Sequence, residues 1–389
     1  MAGVEEYIRN YGDKSFTEMP FCEADNVALC NIFYLPLEKI VSASFDDEPM
    51  DFAQVCKCFY SYNGCKHIPA GLLLSKNISK RLMQMSECKR FAEMKIVAVQ
   101  EKFCVSPATQ FAACTVLLPD GKVVVVFRGT DDTLIGWKED FDLYITKGIP
   151  SHALAVEYLG AVAAHFEGKI IVCGHSKGGN LALYAALKCE QETRDRIECL
   201  YNNDGPGFVD ASLFRTPQYK EIVDRYKHFL PTASFVGTLL THDYDYTVVG
   251  SKRVLGPLQH DLLTWKISGT ELIAKDELNI LGKIADLGLM ELVTRFNHDQ
   301  GDNVGTVMQE VILGSGQTGL TGVAKNAVSA VSGGWKAWKE RTDDEREDFK
   351  KFLFDIPRCL VAAAFELGKG AATAAEKRAT EFVDAIAAN

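Results

Sequence analysis

The segment KIIVCGHSKGGNLALYAAL, residues 169–187, places a serine between glycines directly after an apolar run. A buried strand, a serine flanked by Gly174 and Gly178, and then a helix is the pattern of a nucleophile elbow, a sharp turn that exposes the hydroxyl. The dipole at the start of the following helix stabilises negative charge that develops beside Ser176. A serine that only caps the helix in an ordinary strand-to-helix turn gives a similar sequence pattern. The full context favours Ser176 as a nucleophile.

A serine hydroxyl reacts poorly until a base removes its proton, and with this kind of turn the carboxylate and the histidine follow the serine along the chain. Four histidines follow Ser176, namely His228, His242, His260 and His298. His228 falls in a charged segment predicted as a helix, and His298 in a helical C-terminal region, so both are expected at the surface. His260, in the predicted loop GPLQHDLLTW, is the predicted base, ahead of His242.

Three aspartates compete for the role of the carboxylate that orients the imidazole and stabilises its protonated form. Asp243 and Asp245 lie in THDYDYTVV, directly after SFVGTLL, which is predicted as a strand. Asp204 lies in NNDGPGF, where Asp-Gly-Pro-Gly is itself a ready turn sequence. The predicted order of preference is therefore Asp245, then Asp243, then Asp204.

A second polar segment, VVVVFRGTDDTLIGWKEDF at residues 123–141, delivers Arg-Gly-Thr at the end of a predicted strand. Acyl transfer requires N–H donors aimed at the oxyanion of the tetrahedral intermediate. The predicted donors are the backbone N–H groups of Thr130 and Lys177. A capping role is the alternative for Thr130, and the side chain of Lys177 is expected in solvent on its helix. Arg128 and Asp140 are predicted to form a structural ion pair that holds this loop.

The elements around these residues alternate between strand and helix. FAACTVLLP and KVVVVF predict a hairpin, KIIVC and IECLYNN predict buried strands, and SHALAVEYLGAVAAHF, GNLALYAALKC and YKEIVDRYKHF predict helices. This alternation predicts an α/β fold with a mostly parallel central sheet covered by helices on both faces. A helical lead-in is expected to be capped by Asp25, and the pattern becomes helical from about Glu271. The predicted domains are residues 1–270 and a C-terminal helical extension, 271–389.

Composition and charge exclude some classes of function. The chain has 389 residues and a net charge of -10, which argues against nucleic acid because phosphate binding requires basic patches. No apolar run approaches the ~20 residues of a membrane span, and the start has no secretory pattern, so the predicted location is the cytoplasm. The twelve cysteines are predicted as reduced residues there. Cys56, Cys58, Cys65 and His67 lack the spacing of a zinc site, and no metal or organic cofactor is expected.

The motif FRGT…W…D, followed downstream by GHSKGG, resembles the class 3, fungal-type lipases among the α/β hydrolases. The longer pattern QFAA…FRGTDDTLIGWKEDF…GHSKGGNLA…NNDGPGF…QHD…TW is similar to a bacterial lipase-like family of unknown function, over about residues 25–270. The resemblance implies an α/β-hydrolase fold, with Ser176 as nucleophile and Thr130 as oxyanion residue. Asp245, followed by YTVV, resembles the lipase Asp-x-Val element. Lys177 stands where those lipases have leucine.

Two functions from different classes follow. The first is an intracellular serine ester hydrolase that cleaves a small-molecule or lipid acyl ester through Ser176, His260 and an aspartate, with an acyl-enzyme intermediate. The amphipathic C-terminal helices fit a lid, a peripheral membrane contact or a homo-oligomer. The second is a non-catalytic binding protein with the same fold, because a fold does not establish an activity. A complete set of serine, histidine and aspartate favours the enzyme.

Overall fold

The computed structural model describes residues 3–63, 77–131, 133–243, 245–254, 256–296, 298–314 and 335–368. Of the cysteine–histidine group considered above, Cys65 and His67 lie outside these ranges. The Gly- and Ser-rich segment 315–334 and the Ala-rich tail from residue 369 also lie outside them.

Among the described residues, the strands form one nine-stranded sheet and one small hairpin. In spatial order the large sheet consists of β1 (Met50–Asp51), β2 (Lys95–Cys104), β3 (Thr109–Leu117), β4 (Val123–Phe127), β5 (Ile170–His175), β6 (Ile197–Asn203), β7 (Tyr226–Pro231), β8 (Thr247–Val249) and β11 (Ala274–Lys275). Strands β9 (Ile267–Ser268) and β10 (Glu271–Leu272) pair only with each other. Strands β4 to β8 are parallel, whereas β1 to β4 and the β8–β11 pair are antiparallel.

The α/β prediction is therefore confirmed, but the sheet is mixed rather than mostly parallel. The helices that flank it are α1 (Val4–Tyr11), α2 (Glu23–Ile32), α3 (Phe52–Tyr62), α4 (Ile78–Ser86), α5 (Lys89–Ala92), α6 (Leu134–Ile145), α7 (Pro150–His165), α8 (Lys177–Lys188), α9 (Gln191–Arg196), α10 (Pro217–Ile222), α11 (Gly256–Gln259), α12 (Ile280–Thr294), α13 (His298–Gly314) and α14 (Asp343–Glu366). Short 3-10 turns occupy Leu37–Lys39, Ala211–Arg215, Val223–Arg225 and Leu262–Thr264.

Strand β4 shows why the central strands are continuously apolar. All five of its residues are buried, because helices cover both faces of the sheet. Val124 and Val126 point into a core shared with the N-terminal helices, whereas Val123, Val125 and Phe127 point into a core shared with α7 and α8. The period-2 alternation of a strand thus assigns neighbouring residues to two separate cores.

The N-terminal lead-in is anchored to the rest of the chain by a buried ion pair. Asp25 is the third residue of α2 rather than its cap, and its Oδ1 accepts a 2.8 Å hydrogen bond from Arg90 Nε. Both side chains are fully buried. The guanidinium also donates to the carbonyls of Lys14, Ser15 and Met19, so its donors are satisfied without water. Removal of either partner would leave an uncompensated charge in the core.

Two segments differ from the sequence prediction near the carboxyl edge of the sheet. SFVGTLL, residues 234–240, forms turns rather than a strand. YKEIVDRYKHF begins as α10 but ends in β7, because pairing with β6 and β8 decides the conformation of its second half. As a result His228 is a buried strand residue and not a surface residue of a helix. Strands β10 and β11 also precede the first C-terminal helix, where the sequence predicted helix from about Glu271.

The C-terminal helices cover loops that leave this same edge. Leu239, in the loop after β7, packs in one apolar cluster with Leu289 and Leu292 of α12 and Cys359 of α14. Helix α13 lies against α6: a Cβ atom added at Gly305 would sit 2.9 Å from the Phe141 ring. None of the helices within the described ranges has the length and apolarity that a bilayer crossing requires.

Candidate active site

The serine turn lies between β5 and α8. Ser176 has φ 57° and ψ -135°, a backbone conformation that a residue with a side chain rarely adopts, and it is 9% exposed. Hydrogen bonds on both sides hold the turn: Ser176 N donates to Asn203 O at 3.0 Å, and Gly179 N donates to Ser176 O at 2.8 Å. A Cβ atom at Gly174 would overlap the Gly178 carbonyl. The flanking glycines are therefore required by the close approach of strand and helix.

The loop after β4 contacts this turn directly. A Cβ atom built at Gly129 would lie 2.5 Å from His175 O and 2.8 Å from Ser176 Cβ. Only glycine allows the two loops to come this close. The contact places Thr130, the next residue, close to the serine turn.

A histidine–aspartate pair lies at the same edge of the sheet. His260 Nδ1 is 2.7 Å from Asp204 Oδ2, and both side chains are buried. Asp204 Oδ1 accepts from Ser234 Oγ at 2.5 Å and from Gly237 N at 3.1 Å. Because a carboxylate accepts, the proton lies on Nδ1 of the imidazole, and Nε2 is left as the basic nitrogen.

Asp204 was the third choice from the sequence, and the two preferred aspartates are not brought to His260. Asp245 is exposed, and its N–H donates to Asp243 Oδ1 at 3.3 Å. Asp243 Oδ2 accepts a hydrogen bond from the Tyr219 hydroxyl. The physical reason is that SFVGTLL forms turns, so no strand end presents Asp243 and Asp245 to His260. The Asp-Gly-Pro-Gly turn follows β6 directly and delivers Asp204 there instead.

Two of the three other candidate histidines are buried in different surroundings. His242 is buried, and its Nδ1 lies 3.1 Å from the Leu240 carbonyl. His228 is buried on β7, and burial lowers its pKa to about 3, so its ring is neutral. His298 is the first residue of α13. Among the described residues, no hydrogen bond joins His260 to the Ser176 hydroxyl, and in resting enzymes this bond often forms only with substrate.

The predicted oxyanion donors lie at the ends of β4 and β5. Neither Thr130 N nor Lys177 N has an acceptor within the part of the chain that the structure describes. The Thr130 hydroxyl donates to Asp140 Oδ1 at 2.6 Å, and this bond orients the loop. Burial raises the pKa of Asp140 to about 6, although the ammonium of Lys177, 3.9 Å away, opposes the shift. The expected ion pair with Arg128 is not formed, because Arg128 pairs with Glu101 and with Asp131 at 3.3 Å.

The side chain of Lys177 is buried, contrary to the expectation that it reaches solvent. Its Nζ donates to Glu139 Oε2 at 2.7 Å, to Gln110 O at 2.7 Å and to Gln110 Oε1 at 3.0 Å. Glu139 also accepts from Ser151 N and Ser151 Oγ. The Lys177 ammonium group therefore links the start of α8 to Glu139 of α6 and to Gln110 of β3 inside the protein. It is not available to a substrate.

One polar residue of the site has no predicted role in the sequence. His175, the last residue of β5, lies between Tyr34 and His260: Nδ1 is 2.8 Å from the Tyr34 hydroxyl and Nε2 is 2.8 Å from the His260 carbonyl. Burial and the nearby ring of His260 hold the pKa of His175 well below its usual range, so it is neutral. A histidine at the end of an otherwise apolar buried strand was the signal that could have identified it.

The described residues contain no group of three or more His, Cys, Asp or Glu side chains suited to hold a metal ion. A family model described as Mbeg1-like matches residues 85–308, which is more than half of the chain. That range begins near the end of α4 and extends past residue 270 into α13. Neither the curated proteins nor the solved structures contain a significant match.

Proposed function

The chain belongs to the Mbeg1-like family, a lipase-like family, and from this premise we propose that it is a serine ester hydrolase with an α/β-hydrolase fold. The observation that carries the proposal is the buried pair of His260 and Asp204, 2.7 Å apart, at the sheet edge that holds the strained serine turn. A pair of this kind supplies the oriented base that a serine nucleophile requires.

In the proposed reaction, Ser176 Oγ attacks the carbonyl carbon of an acyl ester while His260 Nε2 accepts the hydroxyl proton. Asp204 keeps the other ring proton on Nδ1 and stabilises the imidazolium. The N–H groups of Thr130 and Lys177 stabilise the oxyanion. The intermediate then collapses, the alcohol leaves with the proton from Nε2, and the acyl group remains on Ser176. Water, deprotonated by the same nitrogen, releases the acid and restores the serine.

Reaction with a fluorophosphonate probe tests the nucleophile without knowledge of the natural substrate. We expect the native protein to be labelled, and Ser176→Ala and heat-denatured protein to remain unlabelled. A panel of p-nitrophenyl esters of increasing acyl length, with Ser176→Ala as control, then defines the acyl group. Equal labelling of Ser176→Ala, or no labelling of the native protein, would overturn the proposal.

Three observations favour a second candidate, a non-catalytic binding protein. Ser176 is only 9% exposed, and no hydrogen bond joins it to His260 within the described residues. Helices α12 and α14 also pack on the loop after β7, which contains Leu239, beside the site. A binding protein would fold normally and would hydrolyse none of the esters in the panel. An enzyme in which α12 and α14 move away from the site would hydrolyse micellar esters faster than monomeric esters.

A further inference from the structure

Each ring nitrogen of His175 has a partner from a different part of the chain. The carbonyl oxygen of His260 can only accept, so the proton of His175 lies on Nε2 and is donated to that oxygen. The other nitrogen, Nδ1, must then accept from the hydroxyl of Tyr34, 2.8 Å away. The tyrosine therefore selects the tautomer of His175 that is able to hold the backbone of His260.

The hydroxyl of Tyr34 also lies against the loop after β4, because a Cβ atom built at Gly129, the residue before Thr130, would overlap the Tyr34 oxygen. Two hydrogen bonds run in one direction from this hydroxyl, from Tyr34 O–H to His175 Nδ1 and from His175 Nε2–H to the carbonyl of His260. This hydrogen-bonded chain, here called the relay, joins Tyr34, the last residue of the strand that ends beside the nucleophile, and the loop of the base.

The tyrosine comes from a segment outside the family match at residues 85–308. It follows α2, and that helix is fixed to the sheet by a reciprocal amide pair in which Asn26 Nδ2 and Asn203 Oδ1 are 2.8 Å apart. Asn203 also donates to the carbonyl of Gly174, two residues before the nucleophile. The position of Tyr34 relative to the site is therefore rigidly set.

We propose that Tyr34 and His175 are positioning residues, which hold the backbone of His260 in place opposite Ser176. Through Tyr34, the N-terminal segment then contributes to the geometry of the active site. This proposal rests on the proposed hydrolase function. Tyr34 is 5% exposed and His175 1% exposed, so both act through His260 and not on the substrate.

The variant Tyr34→Phe removes one hydroxyl and leaves the packing of the ring. With p-nitrophenyl butyrate we expect kcat to fall roughly fivefold to tenfold, as for one lost buried hydrogen bond, while KM stays unchanged. The matched control is Tyr158→Phe, which also removes a buried hydroxyl, one that donates to Ala98 O at 2.6 Å. The control is expected to retain kcat, whatever its melting temperature.

A double-mutant cycle separates positioning from general packing. His175→Gln keeps an amide N–H at the reach of Nε2 and is expected to retain most of kcat, whereas His175→Leu is expected to lose it. Because glutamine has no Nδ1 acceptor for the tyrosine, Tyr34→Phe should have no further effect in the His175→Gln background. Additive losses in the cycle would show that the two residues do not act as one relay.

The outcomes distinguish this proposal from the one on which it rests. If the native protein does not react with the fluorophosphonate, or Ser176→Ala reacts equally, the hydrolase function fails and the relay fails with it. If the native protein reacts but Tyr34→Phe keeps its kcat, or Tyr158→Phe loses as much, only the relay is wrong. The relay is supported if Tyr34→Phe lowers kcat at unchanged KM while Tyr158→Phe does not, and if His175→Gln retains a higher kcat than His175→Leu.

Discussion

The substitution Asp204→Asn tests the assignment of the carboxylate most directly. Asp204 accepts three hydrogen bonds, from His260 Nδ1, Ser234 Oγ and Gly237 N. Asparagine has the same shape, so its oxygen still accepts from Ser234 and Gly237. Its NH2 group then faces His260, and an NH2 group donates and cannot accept a hydrogen bond from the N–H of the imidazole.

The size of the effect follows from this inverted hydrogen bond. The ring is driven to the tautomer protonated on Nε2, which cannot remove the proton of Ser176. In serine triads an isosteric change of this kind lowers turnover by about 10⁴-fold, or about 5 kcal/mol of transition-state stabilisation. Two of the three hydrogen bonds survive, so the free energy of unfolding should fall by only about 1–3 kcal/mol.

The assay is the second-order rate of fluorophosphonate labelling at neutral pH, with urea denaturation to confirm the fold. Asp245→Asn is the matched control, because it removes the carboxylate that the sequence favoured and that lies exposed in the structure. We expect Asp245→Asn to label at the native rate. A native rate in Asp204→Asn, or an equal loss in Asp245→Asn, would refute the assignment.

Three other changes test the surroundings of the site. Lys177→Met should lower the free energy of unfolding in urea by about 3–5 kcal/mol, because it leaves Glu139 as an unpaired buried charge, and Glu139→Gln in the same chain should restore part of the loss. Gly129→Ala should slow fluorophosphonate labelling of Ser176 by about 10²-fold, since its methyl group displaces the oxyanion loop, and a native rate would contradict the close contact. Burial lowers the pKa of His152 to about 4, so protons bind to the unfolded chain first as the pH falls from 6.5 to 4, and the native state loses stability there. Urea titrations at each pH measure the difference in free energy of unfolding between the native protein and His152→Gln. This difference should decrease by up to about 3 kcal/mol as the pH falls from 6.5 to 4. A constant difference would contradict a neutral buried ring.

Local sequence was sufficient wherever neighbouring residues decide the conformation. The serine turn could be predicted because glycines on both sides of Ser176, an apolar strand before it and a helix after it are all signals within about twenty positions. The same holds for the hairpin of β3 and β4, whose connection contains an Asp-Gly turn, and for the long helix α7. His260 was also predicted from the chain, because a histidine was required after the last strands.

The partners within the site could not be predicted in this way. Asp204 and His260 are 56 positions apart, and Tyr34 and His175 are 141 positions apart. The sequence places Asp204 last of the three aspartates, because an Asp-Gly-Pro-Gly turn already accounts for an aspartate at this position. In the structure the same turn brings Asp204 to the sheet edge. The burial of Lys177 depends on Glu139, whose position is set by the packing of α6.

The amino-acid sequence by itself determined which hydroxyl is displayed on a tight turn and that strands and helices surround it. Only the tertiary structure decided which carboxylate meets the imidazole and which tyrosine orders the neighbouring histidine. The physical reason is that backbone conformation responds to adjacent residues, whereas a hydrogen bond of about 3 Å depends on where distant strands end relative to one another. Those ends are fixed by the register of the whole sheet and by the cores packed on its two faces.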